Sequence, residues 1–274
     1  MKQMILTAAL TGAITPKEKN ANLPTTVDEI VQSAYWCYKS GASIVHIHVR
    51  DNENKAVLEY KLYEEVIHRI RSICEILICI STSSYGVQIS DEERLKLLDL
   101  DTDLATLTFG NVYRKGGTNL NSDFYIGQAL SKMERKRICP EIEIFSLDML
   151  ENCINYFVDK KITPYIQLIF GSEGGMGSTI EDITLAIERI PEHWMWSAAG
   201  VGRQQLATNM LCLLNESNGV RTGLEDNVYL TKGILAESNH QLVERLVRYI
   251  RDFNYQVASP KQAKKMLFQN YKYY

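Results

Sequence analysis

The stretch Ser43-Ile44-Val45-His46-Ile47-His48-Val49-Arg50-Asp51 sets the reading of this chain. It is apolar and β-branched, so it reads as a buried strand. Side chains alternate faces along a strand, so His46 and His48 point one way and Ile47 and Val49 the other. A lone histidine there is more often a hydrogen-bonded core residue than a ligand. Two adjacent imidazoles on one face make a poor core and a good metal clamp. Such a pair needs a third ligand and a scaffold that opens the strand's end to solvent.

Outward from this strand, similar runs recur at roughly the thirty-residue length of one strand-plus-helix unit. Strands are expected at Met4–Leu10, Ser43–Val49, Ile76–Ser81, Leu104–Leu107, Ile138–Ile144, Pro164–Phe170, His193–Ala198 and Val220–Glu225. Amphipathic stretches fill the gaps: Thr26–Lys39, Tyr60–Ile73, Asp91–Leu98, Asp123–Arg137, Leu147–Lys160, Ile180–Ile190, Gln204–Leu214 and Asn239–Phe253. Thr26 and Glu29 form a capping pattern at the first of them. Eight strand–helix pairs predict a (β/α)8 TIM barrel of the α/β class. A doubly wound sheet is the alternative, but no Gly-x-Gly-x-x-Gly turn follows the first strand. No linker is evident, so residues 1–274 read as a single domain. Its tail, from Ser259 to Tyr274, reads as a short helical extension.

The 274 residues carry a net charge of −3 with no basic block, which argues against nucleic acid as a partner. No apolar run reaches membrane-spanning length, and Met1–Leu10 reads as a strand and not a leader, so a cytoplasmic protein is expected. The six cysteines include no Cys-x-x-Cys pair and sit mostly in apolar runs. They read as reduced core residues.

Barrel chemistry sits at the C-terminal ends of the strands. There the sequence places His46 and His48, the hydroxyl cluster from Ser81 to Ser84, Thr106 and Thr108, and the pair Glu141 and Glu143. The Gly-rich stretch 171–177 follows strand 6. An acid inside a strand costs free energy unless paired; Glu143 is therefore either functional or ion-paired with an arginine such as Arg50. Gly200, Gly202 and Arg203 serve either a strand–helix turn or a phosphate, the turn being preferred. In the last strand Arg221, Gly223 and Glu225 are expected on one face, with Asp226 opening the loop. Glu225 can complete a His2Glu set suited to catalytic zinc, or to ferrous iron. Arg221 beside Asp226 suits a tuned general base.

The chain also resembles the β-keto acid cleavage enzymes over nearly its whole length. The likeness runs through Leu6-Thr-Ala-Ala-Leu-Thr-Gly12, Asn22-Leu-Pro24, His46-Ile-His-Val-Arg50, Ile80-Ser-Thr82 and Ala105-Thr-Leu107. It continues through Pro140-Glu-Ile-Glu143, Gly174-Gly-Met176, Ala199-Gly-Val-Gly-Arg203, Gly223-Leu-Glu-Asp-Asn227, Ala236-Glu-Ser-Asn239 and Gln241-Leu-Val-Glu-Arg245. The resemblance implies zinc on His46, His48 and Glu225, and a catalytic Arg221–Asp226 pair. It also implies site roles for Ser81, Thr106 and Glu143, the first two in holding substrate. The implied reaction exchanges a β-keto acid with acetyl-CoA, giving acetoacetate and a new acyl-CoA. A homo-oligomer, a tetramer, is implied as well. Members that act on an amino-keto acid read Thr-Gly-Ala-Glu where this chain reads Thr11-Gly12-Ala13-Ile14. Ile14 cannot pair with an ammonium, so a neutral or apolar acyl chain is expected unless Glu173 supplies the charge. Two other readings compete: a metal-dependent hydrolase of the amidohydrolase type, and a non-catalytic barrel binding a metal or acyl-CoA. The first needs further metal-side histidines, and only His68, His193 and His240 remain.

Overall fold

The computed structural model describes residues 1–160 and 162–270. Eight parallel strands form the barrel wall. They are β1 (Gln3–Ala9), β2 (Ile44–Ile47), β3 (Leu77–Ile80), β4 (Leu104–Thr108), β5 (Cys139–Ile144), β6 (Tyr165–Phe170), β7 (Met195–Gly200) and β8 (Gly219–Thr222). The sheet runs β7-β6-β5-β4-β3-β2-β1-β8, so chain neighbours are spatial neighbours. The end strands meet where the Asn218 N–H donates to the Trp196 carbonyl at 2.9 Å, and the Trp196 N–H returns a bond to Asn218 Oδ1 at 3.0 Å. This is the (β/α)8 architecture expected.

Helices cover the outside: α1 (Val27–Lys39), α2 (Tyr60–Arg71), α3 (Asp91–Lys96), α4 (Asp123–Lys136), α5 (Leu147–Phe157), α6 (Ile180–Glu188), α7 (Gln205–Leu214) and α8 (Asn239–Asp252). Local chemistry starts them. Thr26 accepts the Glu29 N–H while the Glu29 carboxylate accepts the Thr26 N–H, and Ser90 with Glu93 and Thr179 with Asp182 repeat the device. Among the described residues no helix is long and apolar enough to cross a membrane.

Period-2 alternation splits the strands into two populations. Leu6, Ala8, Val45, Ile47, Ile78, Ile80, Leu107, Ile142, Leu168 and Val220 pack against the helices in the larger core. Their alternates point into the barrel. The inward layer at the strand starts is apolar: Ile5, Ile44, Leu77, Leu104, Tyr165 and Met195. A ninth helix, α9 (Pro260–Asn270), seals that end with Ala263 and Leu267. Lys264 ties it down on Asp103 at 2.8 Å. The expected tail helix is therefore present and has a function as a plug; residues 271–274 lie outside the described residues. Further along, the inward positions turn polar: His46, Thr106, Glu141, Gln167, Ser197 and Arg221, all buried. One end of the barrel is closed by apolar packing, so chemistry is confined to the other.

The cysteines carry no disulfide among the described residues, and all but Cys74 are buried. β8 ends earlier than expected, at Thr222 and not Glu225. Gly223 breaks it, at φ +150°, where a Cβ would lie 1.9 Å from the Ala9 carbonyl oxygen. Only glycine fits there.

Candidate active site

The C-terminal mouth holds a cavity of about 870 Å³ including its open entrance. His48, Ser81, Glu143, Arg221, Glu225, Asp226 and Ile14 line it. His48 stands just past the end of β2, and His46 lies one layer deeper. The Val49–Arg50 pair then forms a small hairpin with Ala56–Val57. Ile47 and Val49 face the helices, as the alternation requires.

His46 Nε2 and His48 Nε2 each lie 3.5 Å from a different oxygen of Glu225. Donors sharing one tetrahedral zinc at ordinary bond lengths stand about 3.3 Å apart. Burial drives the His46 pKa down to about 3, so its imidazole is neutral, the form that binds a metal. Burial pushes the Glu225 carboxyl up, but Arg221 and the two histidines outweigh it and hold the group well below its usual range. One oxygen of the Glu225 carboxylate is buried without a hydrogen-bond partner. An ionised, partly orphaned carboxylate facing two imidazoles fits a divalent cation of zinc type.

Glu225 reaches this position by a different route from the one expected. It is not a strand residue sharing a face with Arg221 and Gly223; it lies in the turn after Gly223, and that turn returns it over Arg221. The turn is pinned on all sides. Gln205 donates to the Gly223 carbonyl at 2.9 Å, Asn239 accepts from the Leu224 N–H at 2.8 Å, and the Gly202 N–H donates to the Asp226 carbonyl at 2.7 Å. The Gly202 contact supports the turn reading of that glycine.

Arg221 is saturated. It grips Asp226 through two bonds of 2.9 Å, touches Glu225 at 3.0 Å and donates to Gln167 at 2.9 Å. Burial and the neighbouring Glu225 carboxylate raise the Asp226 carboxyl above its usual range despite Arg221. Asp226 is thus a buried carboxylate of fixed orientation with its proton affinity raised.

Glu143 lines the cavity and accepts from the Thr108 hydroxyl at 2.9 Å; burial raises its pKa. Arg50, its suggested ion-pair partner, instead donates to the carbonyls of Gly12 and Thr15. Glu141 lies deeper and fully buried beside Cys79, and burial pushes it to about 7. Ser81 faces the cavity, and its hydroxyl accepts the Ser83 N–H at 3.2 Å. Thr106 does not line it: its hydroxyl accepts the Thr82 N–H at 3.3 Å. Ile14 stands at the entrance, 56% exposed. Glu173 is outside the lining and accepts the Lys115 N–H. His68 and His240 lie on α2 and α8, and His193 precedes β7 at the closed end, so none completes a hydrolase-type histidine set.

A sequence model of the beta-keto acid cleavage enzyme family matches residues 3–268. The chain belongs to that family. It is 35% identical to a 3-keto-5-aminohexanoate cleavage enzyme from Fusobacterium nucleatum, over 97% of this chain and 98% of the relative. It is 31% identical to a 3-oxoadipate:acetyl-CoA acetyltransferase from Cupriavidus necator, over 96% and 94%. The apo structure of ObcA superposes with a TM-score of 0.78 at 16% identity, covering 90% of this chain. This chain spans 65% of the length of that one, and the likeness supports the fold alone.

Two cavity residues, Asn119 and Arg114, and one supporting residue, Gln167, escaped the sequence reading. Asn119 bonds Thr108 and so supports Glu143; Gln167 buttresses Arg221; and Arg114 projects from the Val112–Arg114/Gly117–Asn119 hairpin after β4. Gln167 had a signal, since it is inward by strand parity. The other two sit in an irregular loop where alternation says nothing.

Proposed function

We propose that the chain is a zinc-dependent transferase exchanging a β-keto acid with acetyl-CoA, to give acetoacetate and a new acyl-CoA. The observation that carries this is that Asp226, clamped by Arg221, shares one cavity with His48 and Glu225 of the His46/His48/Glu225 cluster. Membership of the family and the acetyl-CoA acetyltransferase named above support it.

His46, His48 and Glu225 would hold the metal. Bound zinc supplies Lewis-acid stabilisation of enolate charge. Asp226 removes the acidic proton between the two carbonyls of the keto acid, and Arg221 keeps its carboxylate aimed. The carbanion attacks the acetyl thioester and releases the CoA thiolate. That thiolate attacks the original keto carbon, cleaving its bond to the central carbon. The products are acyl-CoA and the acetoacetate carbanion, to which Asp226 returns the proton. Ser81, on the cavity wall, anchors the carboxylate, and Thr106 stands behind the lining, where its hydroxyl accepts the Thr82 N–H. Glu143, held by Thr108, is the third polar wall. Ile14 presents no charge, so an ammonium-bearing substrate finds no partner there. Cytoplasmic residence and a homotetramer, both expected above, complete the proposal; sedimentation equilibrium measures the latter.

The test is acetyl-CoA consumption with a panel of β-keto acids, with and without a chelator, read by mass spectrometry of the acyl-CoA formed. Chelator-sensitive exchange is expected. A zinc-loaded protein that forms no acyl-CoA from any member of the panel overturns the proposal.

A further inference from the structure

We propose that Arg114 is the anion-binding wall of this cavity, and that the natural β-keto acid carries a second carboxylate at the far end of its acyl chain. The inference rests on the β-keto acid reading and names its substrate class.

Arg114 lines the same cavity as Glu143 and Glu225. Its guanidinium lies over two aromatic rings, 5.2 Å from the centroid of Tyr85 and 5.2 Å from that of Phe145. Such flanking holds the faces of the planar cation and leaves its N–H edge free for an acceptor. Among the described residues nothing takes that role. Nε is buried without a hydrogen-bond partner, and no carboxylate forms an ion pair with the group. The buried arginines differ in having acceptors: Arg221 has Asp226, Glu225 and Gln167, Arg94 has Thr82, Leu120 and Asn121, and Arg50 and Arg245, whose Nε is also unpaired, bond backbone carbonyls through their terminal nitrogens. Burial works against the Arg114 charge, and the Glu143 carboxylate only partly offsets this. A half-buried cation without an acceptor is costly in the free protein and becomes a recognition element when a ligand brings the anion.

The neighbouring lining fits a chain that ends in such an anion. Val112, Phe145 and Ile169 offer apolar surface for methylenes. CoA also carries anions, its phosphates, but these stand a full pantetheine arm from the thioester. Arg114, by contrast, lines the same cavity as Glu143 and Glu225. Uncharged Ile14 and cationic Arg114 together disfavour an ammonium and welcome a carboxylate.

The experiment compares three six-carbon probes with acetyl-CoA: 3-oxohexanoate, 3-oxoadipate and 3-keto-5-aminohexanoate. The proteins are zinc-loaded wild type, Arg114→Gln and Arg114→Lys. The wild type should favour 3-oxoadipate over 3-oxohexanoate in kcat/KM by about 10–100-fold. Arg114→Gln should erase that ratio, and Arg114→Lys should keep part of it. A wild type indifferent to the terminal carboxylate, or a ratio that survives in Arg114→Gln, overturns the proposal. A KM for acetyl-CoA that rises equally with every keto acid in Arg114→Gln reassigns the residue to the CoA phosphates and overturns it too. Calorimetric binding of 3-oxoadipate and 3-oxohexanoate without acetyl-CoA reads Arg114 independently of turnover. A dianion preference lost in Arg114→Gln supports the inference even if the exchange reaction itself fails; equal binding overturns it.

Discussion

Gly12 is where the geometry of the metal cluster is most easily tested without touching a proposed ligand. Its backbone is outside the left-handed region, so alanine is conformationally acceptable there. Its Cβ, however, would lie 2.6 Å from Glu225 Cγ and 3.2 Å from Cδ. An ordinary contact begins near 3.4 Å, so the first gap must open by about 0.8 Å. The Gly12 segment after β1 cannot easily yield, because Arg50 holds the carbonyls of Gly12 and Thr15 at 2.6 and 2.7 Å. The carboxylate of Glu225 must therefore move, against a 3.0 Å contact with Arg221. Displacing a proposed ligand by most of an ångström should lower zinc affinity by about 10–100-fold, the range seen when ligand positioning is disturbed. Turnover should fall by about 10²-fold. Overpacking should cost about 1–3 kcal/mol of stability. Competition against a chromophoric chelator measures the affinity, urea unfolding measures the stability, and Glu225→Ala provides the null for zinc. If Gly12→Ala binds zinc and turns over within about twofold of wild type, the space left by Gly12 does not set the position of Glu225.

Three further outcomes are expected. Asp226→Asn keeps the shape of the Arg221 pair but removes the base, so turnover should drop about 10²–10⁴-fold with zinc content unchanged; near-normal turnover would remove Asp226 from its role. Ile14→Glu should raise kcat/KM for 3-keto-5-aminohexanoate by about 10-fold, a modest gain because the site is 56% exposed and screened; no change would show that Ile14 does not set this specificity. Glu29 tests the pH dependence of stability. Burial opposes its charge, but Lys17 and the Thr25 and Thr26 N–H groups prevail and lower its pKa to about 2 from the ordinary 4.5. A depressed folded-state pKa means stabilisation that is present above pH 4.5 and lost as pH falls through 2. Its side chain is 40% exposed, so the effect stays below about 1 kcal/mol. Urea midpoints of wild type and Glu29→Gln should differ at pH 6 and converge towards pH 2; a gap independent of pH would contradict this.

What was legible in the sequence follows from which physical signals are local. Strand alternation is local, so the inward set from His46 through Glu141, Glu143 and Arg221 is legible in the sequence. Capping chemistry is local too, and Thr26 with Glu29 marked a helix start that the structure confirms. Glu225 shows where the same logic fails. Alternation puts it on a strand face, but alternation ends at Gly223 and a turn delivers the carboxylate. The dihedral angle that ends the strand is forced by the Ala9 carbonyl, a contact spanning most of the chain. The plug formed by α9 was equally hidden. An amphipathic tail predicts a helix, but not that its partner is the apolar floor built from seven different strands.

The same distinction explains why the reaction class was easier to read than the substrate. Proposed chemistry rests on strand ends and on one pinned turn, all tied to period-2 positions. The proposed discrimination rests on Ile14, Tyr85, Arg114 and Phe145, which line the cavity and follow β1, β3, β4 and β5. Gly174 shows how they are coupled: a Cβ there would lie 2.1 Å from the Tyr113 carbonyl oxygen, so the Gly-rich loop after β6 packs directly on the hairpin that presents Arg114. On the proposed reading, substrate choice follows from loop packing above the reaction centre. Exchanging the Val112–Asn119 hairpin should move specificity while leaving the His46/His48/Glu225 geometry in place.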